Sequence, residues 1–375
     1  MNLDEAFMDR ALALARGAIG LSEPNPRVGC VLVAPGGERV IGEGHTQAAG
    51  QAHAEVMALR DAAARGESVA GSTAYVTLEP CAHHGRTAPC CDALVAAGVA
   101  RVVAALADPN PLVGGQGFAR LHAAGVDVVV GPGAAISREL NIGFFSRMVR
   151  GRPWVRMKIA ASLDGRTALE NGMSQWITSS DARQDGHAWR ARAGAVLTGI
   201  GTVRDDNPRL DVRAVPTAVQ PAAVLVDSRL EVPVDANVFL PGRALLIYAA
   251  VDAPDRRAAL EARGATVICL PGPGAKVDLP AMLGDLAGRG INELHVEAGH
   301  KLNGSLIRAG LVDEFLIYLA PKLVGPGRGM ADFGPLASLK DSVGLAFTGC
   351  ERIGPDLRVI ARIPGRDRLG RDGPV

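Results

Sequence analysis

Four residues between positions 53 and 91 form a pattern that suits a catalytic zinc ion: His53, Glu55, Cys81 and Cys90. His53 and Glu55 stand two positions apart, Cys81 follows a proline, and Cys90 comes after a longer gap. One imidazole and two thiolates leave the fourth position of a tetrahedral Zn²⁺ open for water. Zinc lowers the pKa of that water to roughly 7. Glu55 would take its proton and pass it to a leaving amine.

The elements that carry these side chains must bring them to one point. Two positions apart, His53 and Glu55 would not share a face of a straight helix. At the first turn of a helix both can reach a metal beyond its end. Cys81 is predicted after a strand over residues 74–78, and Cys90 is predicted to open a helix. The partial positive charge at a helix start favours thiolate over thiol.

A structural zinc site, or ordinary buried cysteines, is the alternative interpretation. A structural site usually has four protein ligands and needs no carboxylate, so the presence of Glu55 favours catalysis. Cys91 adjoins Cys90 and is expected to point elsewhere. The remaining cysteines lie in or beside apolar runs and are expected in the core: Cys30, Cys269 and Cys350.

The composition limits the class of protein. The chain has 375 residues, 48% of them hydrophobic, with a net charge of +1 and 4% aromatics. It lacks the basic, aromatic-rich patch of a nucleic-acid binder. It also lacks both a secretory signal and an apolar run of the ~18 residues that a membrane span needs. We therefore expect a cytoplasmic protein that binds neither nucleic acid nor membrane, and we expect a homo-oligomer.

Strands and helices alternate along the chain, which predicts α/β folds. The first 150 residues predict a three-layer α/β/α sandwich that ends in a helix over residues 137–152. A basic, Gly- and Pro-containing break at 150–153 separates them from a second α/β pattern. The predicted domains are 1–150 and 151–364. Residues 365–375 are charged and glycine-rich and are predicted to be a disordered tail.

Longer motifs in both halves resemble one enzyme family. The segment from Cys81 to Leu94, with its Ala-His-His-Gly-Arg-Thr-Ala-Pro insert before Cys90, resembles the riboflavin-pathway pyrimidine deaminases. The later motifs are similar to the riboflavin-pathway reductase: Lys158–Arg166, Ser174–Thr178, Thr202–Pro208 and Val296–Gly299. The whole chain resembles the bifunctional deaminase/reductase family. That resemblance implies a cytidine-deaminase-like sandwich followed by a dihydrofolate-reductase-like α/β domain, with Zn²⁺ and NADPH as cofactors.

The resemblance also implies two consecutive reactions on phosphoribosyl pyrimidines. The first hydrolyses the 2-amino group of 2,5-diamino-6-(5-phosphoribosylamino)pyrimidin-4(3H)-one. The second reduces the ribosyl side chain with NADPH, giving 5-amino-6-(5-phosphoribitylamino)uracil. In the deaminase half, it implies that Asn25 bonds the pyrimidine and Arg86 binds phosphate. A plain Asx turn and a solvated arginine are the respective alternatives. His45 suits a pocket or a loop equally well.

The family resemblance assigns the reductase residues by position. Lys158 would lie near the reacting ribosyl carbon. NADP contacts are implied at Ala160, Trp176, Thr202, Asp206, Ser228, Gly299, His300, Lys301, Leu302, Asn303, Gly304 and Ser305. Substrate contacts are implied at Ser174, Arg190, Leu210, Arg213 and Glu297. Arg190 and Arg213 suit phosphate clamps. Trp176 and Leu210 also suit a hydrophobic core.

Two other functions compete with this interpretation. A nucleic-acid base deaminase with an accessory domain would share the zinc motif, and the absence of a basic stripe speaks against it. A zinc-stabilised module that binds a nucleotide without turnover would leave Glu55 without a role.

Overall fold

A computed structural model describes residues 3–82 and 88–369 of the chain. The chain divides into two compact units: the residues up to Arg150 together with Leu369 belong to the first, and Gly151 to Arg368 form the second. Within the described residues, no helix is both long and apolar enough to cross a membrane.

The first unit is built on a five-stranded sheet in the order β2-β1-β3-β4-β5. Strand β1 runs antiparallel to β2 and β3, whereas β3, β4 and β5 are parallel. Its strands are β1 Gly29–Val33, β2 Val40–His45, β3 Thr73–Val76, β4 Arg101–Ala104 and β5 Asp127–Val130. Its helices are α1 Leu3–Ala15, α2 Ala54–Ala64, α3 Cys90–Ala96, α4 Gln116–Ala123, α5 Ala134–Leu140 and α6 Ile142–Arg150.

Helix α2 packs closely on one face of this sheet because β2 carries glycines there. A Cβ added at Gly42 would lie 2.3 Å from the Ala58 carbonyl oxygen, and one at Gly44 would lie 2.5 Å from the Met57 Cβ. On the opposite face, Met8 and Leu12 of α1 form a buried cluster with alternate residues of β1. Helices thus cover both faces, as the sandwich prediction requires.

Residues 137–152 are mostly helical, as predicted, but the chain forms two helices there, which are separated at Asn141. The Asn141 amide binds the main chain of Arg27. Its Oδ1 accepts from the Arg27 N–H at 2.7 Å, and its Nδ2 donates to the Arg27 carbonyl at 3.0 Å. Such side-chain bonding competes with a continuous helix. It also anchors the loop that contains Asn25.

The second unit is built on a nine-stranded sheet in the order β11-β10-β9-β8-β14-β6-β15-β18-β17. Its helices are α7 Ser180–Arg192, α8 Ile200–Asp206, α9 Pro254–Glu261, α10 Leu279–Gly288 and α11 His300–Arg308. The strands of the large sheet are β6 Trp154–Ser162, β8 Ala195–Gly199, β9 Ala222–Val226, β10 Leu245–Ala249, β11 Ala265–Cys269, β14 Glu293–Val296, β15 Glu314–Ala320, β17 Ala346–Ile353 and β18 Asp356–Arg362. The small strands are β7 Arg166–Leu169, β12 Pro271–Gly272, β13 Lys276–Val277 and β16 Gly327–Gly329.

The first seven strands in this spatial order, β11 through β15, are parallel to their neighbours. Strands β18 and β17 continue the sheet with antiparallel pairing. Two buried hydrophobic clusters pack against this sheet. Val196 and Leu197 are neighbours on β8, so their side chains point to opposite faces, and each belongs to a different cluster. The sheet is therefore covered on both faces. Arg366, within the predicted tail, donates to the Gly310 carbonyl at 2.7 Å, and Leu369 is buried, so the chain stays folded at least that far.

A buried ion cluster joins the central strands of this sheet. Arg156 of β6 is 1% exposed and lies between Glu293 of β14 and Glu314 of β15, donating to both carboxylates. Arg192 and Arg362 supply further hydrogen bonds to the two glutamates. Each buried charge is thus compensated by a partner.

We predict that Arg156→Ala destabilises the second unit by about 3–5 kcal/mol, because removing one member of a buried ion cluster leaves uncompensated charge in the core. Denaturant unfolding of the purified protein measures the loss. Arg289→Ala, which breaks a pair with Asp285 at 38% and 31% exposure, is the control and should cost about 1 kcal/mol or less. Equal losses in the two variants would contradict a special role for the cluster.

Candidate active sites

The structure brings the three predicted metal ligands together. The ligand atoms of His53, Cys81 and Cys90 all lie within 4.8 Å of one another. His53 is the residue before α2 and has an extended backbone, so its ring is not part of the helix surface. Cys81 follows β3, and Cys90 is the first residue of α3. An imidazole nitrogen and two sulfurs at these separations fit a tetrahedral zinc ion with one open position.

Hydrogen bonds inside the cluster favour a thiolate. The Cys90 thiol, the His53 ring and the Cys90 backbone N–H all bond Cys81, and together they outweigh burial and lower the pKa of Cys81 to about 4. The His53 Nδ1 lies 3.6 Å from the Cys81 Sγ and 3.3 Å from the Cys90 Sγ. The hydrogen bond that His53 makes to Cys81 raises the pKa of His53, and the bond that Cys90 makes to Cys81 raises the pKa of Cys90. A thiolate is the form that binds a metal.

Glu55 lies in the first turn of α2, next to the cluster, and is 3% exposed. Burial, reinforced by the charge of Cys81, raises the pKa of its carboxyl to about 7. A general acid–base group works best when its pKa is close to the operating pH. The position and environment of Glu55 therefore suit proton transfer at a zinc site.

Glu79 is a positioning residue that the sequence motif left without a role. Its carboxylate accepts backbone N–H bonds from Asp108 and Gly115 at 2.9 Å each and from Gly117 at 2.8 Å. These bonds fix the loop before α4 against the Glu79–Cys81 segment. The sequence shows a glutamate two residues before a predicted ligand. It does not show the hydrogen-bond partners of that glutamate, which are main-chain atoms far away along the chain.

The other predictions for the first unit have different outcomes. Cys91 is buried and its Sγ faces the Asp92 carboxylate at 3.7 Å, away from the metal cluster. The Asn25 N–H donates to the Ser22 carbonyl at 2.8 Å and the Ser22 hydroxyl donates to the Asn25 carbonyl at 3.2 Å, which is a turn made by the main chain. Neither bond involves the Asn25 side-chain amide, so the Asx turn and the pyrimidine contact both stay predictions. Arg86 lies outside the described residues.

A large cavity of about 1060 Å³ opens at the carboxyl ends of the parallel strands in the second unit. Drug-sized ligands occupy pockets of about 300–1,000 Å³, so this cavity has room for a dinucleotide. The predicted residues that line it are Lys158, Ala160, Ser174, Thr202, Asp206, Ser228, Glu297, Gly299, His300, Lys301, Leu302, Asn303 and Ser305. They come from β6, the loop after β7, helix α8, the ends of β9 and β14, and helix α11 with the glycine before it.

Parallel pairing sets the polar centre of the cavity. Val296 pairs with Met157, so the next residues, Glu297 and Lys158, lie side by side with Nζ and Oε2 3.9 Å apart. Arg190 of α7 donates to both Glu297 oxygens. Burial opposes ionisation of Glu297, yet the Arg190 charge holds the pKa of this carboxyl well below its ordinary value. Burial lowers the pKa of Lys158.

Other predicted residues lie around this centre. Asp206 accepts from the Ser174 hydroxyl at 3.4 Å, which joins a predicted cofactor residue to a predicted substrate residue. Arg190 is 14% exposed and sits behind Glu297, outside the cavity lining. Arg213 is 54% exposed and pairs with Asp211 at 2.6 Å.

Besides Arg190 and Arg213, three predicted residues do not line the cavity. Leu210 is buried in a hydrophobic cluster, which confirms its core interpretation. Trp176 is 62% exposed, with the Arg183 guanidinium 4.5 Å from its ring centre, so a core role is wrong for it. Gly304 is buried against Asp332, whose carbonyl oxygen would lie 1.8 Å from an added Cβ, so its missing side chain serves packing.

Sequence reasoning missed several residues of this site. His295 is fully buried, with its Nε2 3.4 Å from the Glu297 carboxylate. Asp211 holds Arg213, and its carbonyl accepts from Arg190 at 2.9 Å. Neither residue carries a motif signal. Further lining residues that were not predicted include Ile200, Gly201, Arg204, Arg229, Glu231, Lys276 and Arg328.

Comparison with known families covers both units. Residues 1–106 match the family described as "Cytidine and deoxycytidylate deaminase zinc-binding region". Residues 153–359 match the family described as "RibD C-terminal domain". The first match contains the three clustered ligands, and the second contains the residues that line the cavity.

Relatives match over nearly the whole chain. "Riboflavin biosynthesis protein RibD" of Escherichia coli is 44% identical over 94% of this chain and 98% of its own length. RibD of Aquifex aeolicus is 40% identical over 95% and 97%. Among solved structures, Acinetobacter baumannii RibD is 38% identical over 96% of this chain and 98% of its own, with a TM-score of 0.87.

A solved Thermotoga maritima deaminase/reductase is 30% identical, covers 96% of this chain and 99% of its own, and has a TM-score of 0.85. These matches confirm the α/β fold class of both units. They also confirm zinc and NADPH as the cofactors of the two halves. The chain therefore belongs to the RibD family and is a bifunctional deaminase/reductase of riboflavin biosynthesis.

Proposed function

We propose that the first unit hydrolyses the 2-amino group of 2,5-diamino-6-(5-phosphoribosylamino)pyrimidin-4(3H)-one and releases ammonia. The observation that carries this proposal is the cluster of one histidine and two cysteines beside a buried glutamate. The Thermotoga maritima relative is named a diaminohydroxyphosphoribosylaminopyrimidine deaminase, which supports the substrate. Ammonia release from that nucleotide by the purified protein tests it directly.

His53, Cys81 and Cys90 would hold the zinc, which when bound supplies the Lewis acidity that makes water acidic near neutral pH. Glu55 takes a proton from the attacking water and delivers it to the leaving amine. With a pKa of about 7, its carboxyl can both accept and release that proton near neutral pH. The proton count balances, since water adds at the ring carbon and ammonia leaves from it.

We further propose that the second unit reduces the ribosyl side chain of the deaminated product to ribityl. NADPH supplies the hydride when bound. Lys158, beside Glu297, is assigned the proton that the ribosyl oxygen takes up as its bond to carbon opens. We assign to the cofactor the predicted residues Ala160, Thr202, Asp206 and Ser228 and the segment 299–305, which includes the start of α11. All of them except Gly304 line one cavity. Trp176, which does not line it, stays assigned by resemblance alone.

The substrate assignments follow from charge and position. Ser174 and Glu297 line the cavity. Arg190 is assigned to hold Glu297 ionised, and the exposed Arg213 to bind the substrate phosphate. Leu210 contributes by shaping the loop that ends in Asp211. In the first unit, Asn25 is proposed to bond the pyrimidine and Arg86 the phosphate, so Arg86→Ala should raise the deaminase KM while sparing the reductase.

Two broader assignments complete the proposal. The enzyme is proposed to act in the cytoplasm on small phosphoribosyl pyrimidines, without nucleic acid. It is proposed to form a homo-oligomer, which sedimentation analysis of the purified protein tests. A single species at the mass of one chain would contradict that state.

We predict that Glu55→Gln keeps zinc and fold, because the amide has nearly the shape of the carboxyl, but loses deamination by about 10²–10⁴-fold. Metal analysis and ammonia release on one preparation measure both properties. Cys81→Ser is the contrasting variant: it removes a ligand and should lose or loosen zinc and destabilise the first unit. Reductase activity should survive in both. A Glu55→Gln protein that purifies without zinc would make Glu55 a ligand or a support.

We predict that Glu297→Gln raises the reductase KM for the pyrimidine substrate by about tenfold or more. The amide keeps the size but cannot balance Arg190 and Lys158, and a charge-assisted contact is worth about 1.5–3 kcal/mol. Steady-state kinetics with varied substrate measure the change. Glu351→Gln, which alters an exposed pair with Arg358, is the control. An unchanged KM would remove Glu297 from the substrate site.

We predict that the two activities are separable near residue 150, because each unit has its own sheet and buried core. Residues 152–375, expressed alone, should oxidise NADPH with the deaminated substrate. Circular dichroism and NADPH absorbance measure fold and turnover. A fragment that is unfolded, or folded and inactive, would show that domains 1–150 and 151–364 are not independent.

A further inference from the structure

The strand β9 ends at the part of the cavity farthest from Lys158. It lies three strands from β6 in the sheet, which at about 4.8 Å per strand is about 14 Å. Strand β8, helix α8 and strand β9 form a β-α-β unit, because β8 and β9 are parallel neighbours. In dinucleotide sites of this kind, the residue after the second strand reads the adenosine ribose. An acidic residue there binds the 2′-hydroxyl of NAD, whereas an arginine accommodates the 2′-phosphate of NADP.

The acidic residue after β9 is turned inward. Asp227 is fully buried, and its Oδ2 accepts from the Val232 N–H at 2.8 Å. It does not line the cavity, whereas the next two residues, Ser228 and Arg229, do. The β9 end therefore presents a hydroxyl and a guanidinium where an NAD-specific site presents a carboxylate.

A second cation stands at the same end of the cavity. Lys276 of β13 lines it and is exposed. Strand β13 lies beside the ends of β10 and β11, since the Asp278 N–H bonds the Leu270 carbonyl at 2.9 Å and the Leu270 N–H bonds the Ala249 carbonyl at 2.8 Å. Strand β10 is the neighbour of β9.

Charged residues close in sequence to these two cations have other partners. Arg204 and Glu231, which both line the cavity, form an ion pair with each other. The Asp278 carboxylate caps α10 by accepting from the Ala281 N–H at 2.9 Å. Within residues 3–82 and 88–369, neither Arg229 nor Lys276 has an ion-pair partner. Both side chains are thus available to an anion at this end of the cavity.

We propose that Arg229 and Lys276 bind the 2′-phosphate of the cofactor and make the reductase select NADPH over NADH. Arginine binds phosphate through two parallel N–H bonds, and lysine acts as a point charge. The inference rests on the assignment of this cavity to the cofactor under Proposed function. It adds specificity residues that neither the sequence motifs nor the family resemblance indicated.

Binding of nucleotide fragments to the full-length enzyme tests the proposal without turnover. Adenosine 2′,5′-bisphosphate and 5′-AMP differ only in the 2′-phosphate, and calorimetry gives their Kd values. The wild type should prefer the bisphosphate. Arg229→Ala should weaken bisphosphate binding about 10- to 100-fold, as expected for the loss of charge-assisted bonds, and leave 5′-AMP unchanged. Lys276→Ala should do the same to a smaller extent.

Arg352→Ala is the matched control, since this exposed arginine lies on β17 and does not line the cavity. It removes the same charge and should keep the wild-type preference. In kinetics, Arg229→Ala should raise the KM for NADPH and leave that for NADH unchanged. A variant that retains the full preference would overturn the role of Arg229. A wild type in which NADPH fails to protect cavity residues from amide exchange would instead overturn the cavity assignment.

Discussion

Parallel pairing of β14, β6 and β15 decides where the chemistry of the second unit lies. Arg156 is buried between a glutamate from each neighbouring strand, and a slip of register would separate these charges in the core. The same register sets Glu297 beside Lys158 two residues further along β6. The ion cluster in the core and the polar centre of the cavity are therefore consequences of one alignment.

The first unit gathers its groups by a different route. Its metal ligands come from a helix start, a strand end and a second helix start, which approach one another because Gly42 and Gly44 let α2 lie close to the sheet. Glu79 then ties the loop before α4 to the segment that carries Cys81. The packing of α2, α3 and the Glu79–Cys81 segment therefore sets the positions from which the three side chains can reach one metal ion.

The sequence predicted what depends on local pattern and failed where distant groups decide. The metal cluster and the strands of the parallel sheet follow from motifs and apolar periodicity, whereas the predicted part of the cavity lining follows from the family resemblance. The β17–β18 hairpin was missed, and Cys350, predicted in the core, is exposed on its edge strand. The break at Asn141 was missed because its partner, Arg27, is 114 positions away. Periodicity cannot register such a contact.

Glu55 and Glu297 show how one residue type can suit two different proposed roles. Both carboxyls are withdrawn from solvent, and burial alone favours the neutral form of each. Near Glu55 a negative thiolate adds to that effect, so the pKa rises to about 7 and the proton becomes exchangeable. Near Glu297 the Arg190 guanidinium reverses the effect, so the carboxylate is a permanent charge. Deamination needs a group that moves a proton, whereas positioning a lysine and a substrate needs one that stays ionised.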